Sequence, residues 1–261
     1  MSHEKTQQPL DLSRYLFTEE KLLRGDFREY FLRKRFNFIA TLNNNRDLGD
    51  LFLHVDEDWV SAIKLLGQHP PAEWLVPVQL TVYCFRELRL SAEMLLSGCT
   101  TPGFSHLRSA LESFVHAQKI MREPMLGSVW LARDSERPEY DKHFKANFKA
   151  NLFPPSSGFA HLHGVWQMLC DTGPHPNVNS LGISSSITES HVDVNWAVEF
   201  FEVSEAELAS NFILMVMCSL EMFKHTYNVF HERLSSDPNI LRRLHSHLAR
   251  YAQLKANYRH G

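Results

Sequence analysis

Residues 71–122 read PAEWLVPVQLTVYCFRELRLSAEMLLSGCTTPGFSHLRSALESFVHAQKIMR, and this stretch decides the fold class. From Pro71 to Ser97 the pattern is that of one long helix, with Pro77 tolerable because it falls near the start. Gly98 closes that helix. Thr101-Pro102 then supplies a cap followed by proline at the first helical position, the signature of a new helix, which runs to about Arg122 before Glu123-Pro124. So short a connection makes the two helices antiparallel neighbours. They are expected to form the centre of a mainly α fold.

Towards the N-terminus, a helix is expected from Thr18 to Asn43, capped by Thr18, favoured at its positive end by Glu19 and Glu20, and stopped by the Asn43-Asn44-Asn45 run. It is the most basic segment, with Lys21, Arg24, Arg28, Arg33, Lys34 and Arg35. The plain reading is a solvated face interleaved with core aromatics, Phe27, Phe31, Phe36 and Phe38. A further helix is expected from Asp56 to Leu66, before Gly67 and Pro70. Beyond the central pair come lesser helices near Met125–Arg133 and Pro138–Leu152, a break at Pro154–Gly158, and a helix over Phe159–Asp171.

The period then changes. Leu181, Ile183, Ser185 and Ile187 alternate with other residues, as do Val192, Val194, Trp196, Val198 and Phe200, the period-two mark of half-buried strands. A turn through Thr188–Ser190 would pair them. Ser204 to Glu207 is a capping box. The helix after it, Leu208–His231, is apolar nearly all round, as a central core helix or a subunit interface would be. Asp237-Pro238 opens a last helix to about Tyr258. The expectation is a bundle of about nine helices with one short β-hairpin near 180–202. The whole chain, 1–261, forms one domain, with residues 1–17 as a flexible tail and 18–66 as a helical arm packed on the 71–258 bundle.

Composition agrees with that class. Of 261 residues, 44% are hydrophobic and 22% charged, ordinary globular usage, and 11 Gly with 12 Pro are few enough to favour long helices. A net charge of -3 gives no global attraction to nucleic acid or to an anionic membrane. Cys84, Cys99, Cys170 and Cys218 are scattered, so they read as reduced and the compartment as cytoplasmic. The N-terminus has no apolar signal core, and the most apolar run, Phe212–Cys218, is far short of the ~20 residues of a membrane span. Phosphate-binding glycine loops, G-x-S-x-G, H-E-x-x-H and zinc-ribbon spacings are absent, so no cofactor is expected.

Three groups of residues could carry chemistry. On the 101–122 helix, Arg108, Glu112 and His116 follow at i, i+4 steps, from the edge of the core-facing arc outwards. They read either as a boundary ion pair or as a charged stripe lining a cleft. The loop Thr172–Ser180 holds His175 between two prolines, with Asn177 beside it, and reads either as a rigid binding loop or as the turn into the hairpin. His161 and His163, two apart at a helix start, point about 200° apart and make a poor metal pair.

The stretch Leu107-Arg108-Ser-Ala-Leu-Glu112 on a long helix, smaller helices with a Trp, and then Gly-Pro-His-Pro-Asn resembles an uncharacterised family of bacterial helical proteins over about residues 80–230. That family is in turn similar to the HEPN group. The resemblance implies a helical bundle, a homodimer and a link to RNA cleavage. HEPN nucleases carry an Arg, four to six residues, then a His. Arg242-x4-His247 and Arg137-x5-His143 fit, although roughly three such matches arise by chance at this composition.

Three functions remain open from the sequence. One is a binding or regulatory module with a polar pocket near Arg108, Glu112, His116, His175 and Asn177, taking a small molecule or RNA. Another is a ribonuclease in which His175 moves a proton and Arg108 stabilises charge at phosphorus. The third is a metal-dependent hydrolase using Glu112, His116, His161 or His163.

Overall fold

The computed structural model describes residues 24–172, 185–189, 194–198, 201 and 204–258. The chain is mainly α-helical, with eleven α-helices among the described residues. The first two, α1 (Gly25–Asn44) and α2 (Arg46–Leu66), are separated by Asn45 alone. Its φ of -118° and ψ of 46° leave the helical region, and its side-chain amide donates to Thr41 O at 3.0 Å.

Both helices differ from expectation. At the start of α1, Arg24 is extended (φ -131°, ψ 154°) and Gly25 has φ +60°, so no continuous helix runs in from upstream. The expected cap, Thr18, lies outside the described residues. Helix α2 begins ten residues earlier than Asp56. Leu48, Leu51, Val55, Trp59, Ala62 and Leu66 are all buried, and their three-to-four spacing winds the intervening chain into helix. The asparagine run thus stops α1, as expected, but through a joint of one residue.

After a 3-10 turn at Ala72–Trp74 come α3 (Leu75–Leu96) and α4 (Thr100–Arg122). Pro77 is the third residue of α3, where no intrahelical N–H bond is lost. Gly98, at φ +79°, ends it, and the N–H groups of Gly98 and Cys99 bond to Leu95 O and Met94 O at 3.0 and 2.8 Å. Thr101 does not cap α4; it lies inside the helix, with Pro102 in the first turn. The two helices touch at Gly103, where a Cβ would stand 2.6 Å from Leu95 Cδ2. There Ser91 Oγ donates to Gly103 O at 2.9 Å.

Three short helices follow, α5 (Leu126–Leu131), α6 (Arg137–Phe144) and α7 (Phe148–Leu152). The single helix expected over 138–152 is divided by Asn147, which adopts φ +47°. Helix α8 (Leu162–Thr172) packs on α4. Strands β1 (Ser185–Glu189) and β2 (Val194–Val198) pair antiparallel, with Ile187 opposite Trp196. Thr188 and Glu189, expected in a turn, are ladder residues facing Asn195 and Val194.

Ser204 caps α9 (Glu205–Val229), its hydroxyl accepting from Glu207 N at 3.3 Å. Helix α9 is the hub. It touches α1 to α4 as well as α10 (His231–Leu234) and α11 (Pro238–Tyr258). Trp59 of α2 donates to Ser219 Oγ at 3.1 Å and stacks on Phe85 of α3, while Phe223 of α9 meets its ring edge-on. By length and composition α9 could cross a membrane; here Phe212, Met215, Val216, Met222 and Phe223 are fully covered by its neighbours. At the start of α11, Asp237 Oδ1 accepts from Asn239 N at 2.9 Å.

The aromatic face expected of α1 is corrected by the structure. Phe38 packs against the core, but Phe27, Phe31 and Phe36 are 60%, 41% and 72% exposed. The inner face of α1 is turned to the bundle by other residues, with Thr41 buried, Asn37 bonded to Ser97 O and Lys34 paired with Glu93.

Candidate functional site

Helix α4 carries Arg108, Glu112 and His116 one turn apart, and α8 packs alongside it. Arg108 Nε donates to Glu112 Oε1 at 2.8 Å, and Trp166 Nε1 of α8 donates to the same oxygen at 3.0 Å. Trp166 is held in turn by stacking on Phe148 and His163. Burial works against the Arg108 charge, but Glu112 outweighs it and raises the guanidinium pKa above its ordinary value. An ion pair that also takes an indole N–H is better fixed than an exposed i, i+4 pair, which is worth only a few tenths of a kcal/mol.

On its other side Glu112 lines a cleft of about 470 Å³ between α3, α4, α5 and α6. Tyr83, Leu80, Trp130 and Tyr140 form apolar walls; Gln79, Ser109, Ser113, His116 and Arg133 add polar groups. That volume and mixture are usual for a small-molecule site. His116, half-buried like Arg108 and Glu112, lines this cleft beside Glu112. Its ring sits 5.0 Å from Phe144 and 6.4 Å from Tyr140, both edge to face. Burial, with Arg133 adding to it against Glu112, lowers the imidazole pKa to about 4. At neutral pH His116 is uncharged, able to give or take one hydrogen bond.

The other candidates separate. His175 and Asn177 lie outside the described residues. His163 is buried between Phe153 and Trp166, with its pKa lowered by burial and then by Lys149. His161 is exposed and stands 4.0 Å from Glu221. The two histidines do not share a site, and among the described residues no three His, Cys, Asp or Glu side chains are grouped as metal ligands.

Neither Arg–His pair at nuclease spacing faces one cleft. Arg137 bonds Asp141 and His143 bonds Glu139, on the surface of α6. Arg242 bonds Asn239, whereas His247 lies 3.0 Å from Asp58 Oδ2.

The last contact belongs to a cluster that residue spacing did not reveal. Asp58 of α2, 2% exposed, accepts from Arg243 Nε of α11 through one oxygen and faces His247 through the other. A cleft of about 280 Å³ beside it is lined by His54, Glu57, Ser61 and Asp237. Its partners are 185 and 189 residues apart in sequence, which is why no local pattern announces it. Its groups satisfy one another, so it fastens α11 to α2. No family model, curated protein or solved structure matches the chain.

Proposed function

We propose that the protein is a small-molecule-binding or regulatory module whose ligand occupies the cleft between α3, α4, α5 and α6. The observation that carries this reading is Glu112, a carboxylate held by two donors at the wall of a cleft of ligand size. Such a group is already oriented, so binding does not have to order it. Tyr83, Trp130 and Tyr140 offer flat apolar surface, which suits a planar body. Glu112 would accept from a donor on its edge. Arg108 balances the Glu112 charge and His116 is neutral at pH 7, while Arg133 leaves a positive charge on the wall, so the fitting ligand carries no positive charge.

The test is a thermal-shift screen of neutral planar heterocycles with N–H or NH₂ edges. A ligand at 100 times its Kd stabilises by about 2.7 kcal/mol, well within detection. Glu112→Gln keeps the side-chain shape and is expected to weaken a hit about tenfold, or ~1.4 kcal/mol. Asp141→Asn, on the surface of α6, is expected to leave it unchanged. Equal affinity in wild type, Glu112→Gln and Tyr140→Ala would remove the cleft from consideration.

A further inference from the structure

Polar groups of opposite kind meet in the cleft between α3, α4, α5 and α6. Its α4 wall offers acceptors. Glu112 is a carboxylate, and the hydroxyls of Ser109 and Ser113 already donate to the carbonyls of Ser105 and Ser109, at 3.1 and 2.8 Å. With their hydrogens committed, the two serines present lone pairs to the cleft.

The turn between α5 and α6 brings a donor instead. Arg133 N bonds to Trp130 O at 3.3 Å, and the N–H groups of Ser135 and Glu136 bond to Ala132 O at 3.0 and 2.7 Å. From this fixed backbone the Arg133 guanidinium reaches over the Tyr140 ring, 5.6 Å from its centroid. Burial is the first cause of the His116 and Tyr140 pKa shifts, but Glu112 raises and Arg133 lowers both. Each ring therefore lies within electrostatic reach of the two groups.

Three other guanidiniums nearby are already committed. Arg86, over the Tyr83 ring, donates to Glu87 at 3.0 and 3.3 Å. Arg108 donates to Glu112 at 2.8 Å, and Arg137, also over Tyr140, donates to Asp141 at 2.9 Å. Arg133 is held more loosely. Its ion-pair partner, Asp134, is 3.6 Å away, beyond hydrogen-bond reach, and its side chain is 95% exposed. Such an exposed pair contributes little, so the Arg133 fork is left for a ligand. Of the residues lining the cleft, Arg133 alone is cationic at neutral pH, since His116 is uncharged. One guanidinium matches one carboxylate, which it grips through two parallel N–H groups. A phosphate dianion would call for a second cation, which the lining residues do not supply.

Resting on the cleft reading above, we propose that the ligand is a flat heteroaromatic carboxylate, with its N–H edge on Glu112 and its carboxylate on Arg133. The reverse orientation is disfavoured, because Glu112 and the serine lone pairs would then face the acid.

The test uses the full-length chain and matched probes that differ in charge but hardly in shape. These are indole-3-acetate with indole-3-acetamide, and benzimidazole-5-carboxylate with benzimidazole-5-carboxamide. Calorimetric titration at neutral pH and low salt measures each Kd, and circular dichroism checks that each variant keeps its helix content. In at least one pair the acid is expected to bind about tenfold tighter than its amide, with added salt narrowing the gap. Arg133→Gln should abolish the gap by weakening the acid alone, whereas Arg137→Gln, beside the same tyrosine ring, should preserve it. Glu112→Gln should weaken the amide. Amides that bind and respond to Glu112→Gln, with acids no tighter or with a gap that survives Arg133→Gln, would overturn the carboxylate assignment and leave the cleft reading standing. Binding by none of the four probes would also overturn the assignment; the cleft reading falls with it only if the thermal-shift screen is empty too.

Discussion

Asp58 shows how much one buried charge can hold. Its two oxygens are committed to Arg243 and His247 on the last helix, and at 2% exposure it has no solvent to fall back on. Replacing a buried pair by apolar groups is often neutral, but removing one partner strands the others. Asp58→Ala is therefore expected to cost about 3 kcal/mol in urea unfolding. Asp237→Asn, which touches the same Arg243 at 3.4 Å from a more exposed position and caps α11, should cost about 1 kcal/mol. Equal losses would mean that burial of Asp58 is not what matters. At this scale, sequence spacing found the Arg108–Glu112 pair because both residues lie on one helix. It could not find Trp166, which completes that pair from 54 residues away, nor Asp58, whose partners arrive from the other end of the chain.

Among the elements, the α3–α4 hairpin was the most legible, because local signals agree with tertiary need. Pro77 sits where a helix tolerates it, Gly98 takes the conformation that ends one, and the connection is short. Gly103 adds a constraint that sequence leaves silent. Its missing side chain lets Leu95 approach to where a Cβ would be 2.6 Å away. Gly103→Val is expected to lose about 1–3 kcal/mol through overpacking, lowering the thermal midpoint. A Cβ added at Gly164 of α8 would meet nothing within 4 Å, so Gly164→Ala should instead gain about 0.5–1 kcal/mol. The opposite signs, measured side by side, separate close approach from helix propensity. Elsewhere weak signals misled. The asparagine run stops α1 as expected, but α2 resumes at once, ten residues before Asp56, and the helix expected over 138–152 breaks at Asn147, a residue tolerant of positive φ.

For the whole molecule, His116 and Glu221, both half-buried, have the largest shifts in the acid range and contribute most to how stability depends on pH. The folded state holds His116 neutral down to about pH 4, whereas an unfolded imidazole takes its proton near 6.5. The unfolded chain binds more protons in that interval, so stability falls as pH drops from 6.5 to 4. Glu221 works lower. His225 foremost, then Lys224, outweigh burial and bring its carboxyl to about 2 from 4.5. Its contribution is complete above pH 4.5 and is lost as pH falls towards 2. His116→Gln is expected to flatten the upper decline, of order 2 kcal/mol, and to leave the lower one intact; urea midpoints between about pH 7 and 3 measure both. What the sequence determined by itself was the helical class, the central hairpin, the apolar α9 helix and the i, i+4 ion pair, because each rests on periodicity and capping within one segment. Only the tertiary structure decided that His116 lines a cleft, that α1 leaves Phe27, Phe31 and Phe36 exposed and that α11 is fastened through Asp58. Those outcomes depend on which faces meet across long stretches of chain, and no single segment carries that information.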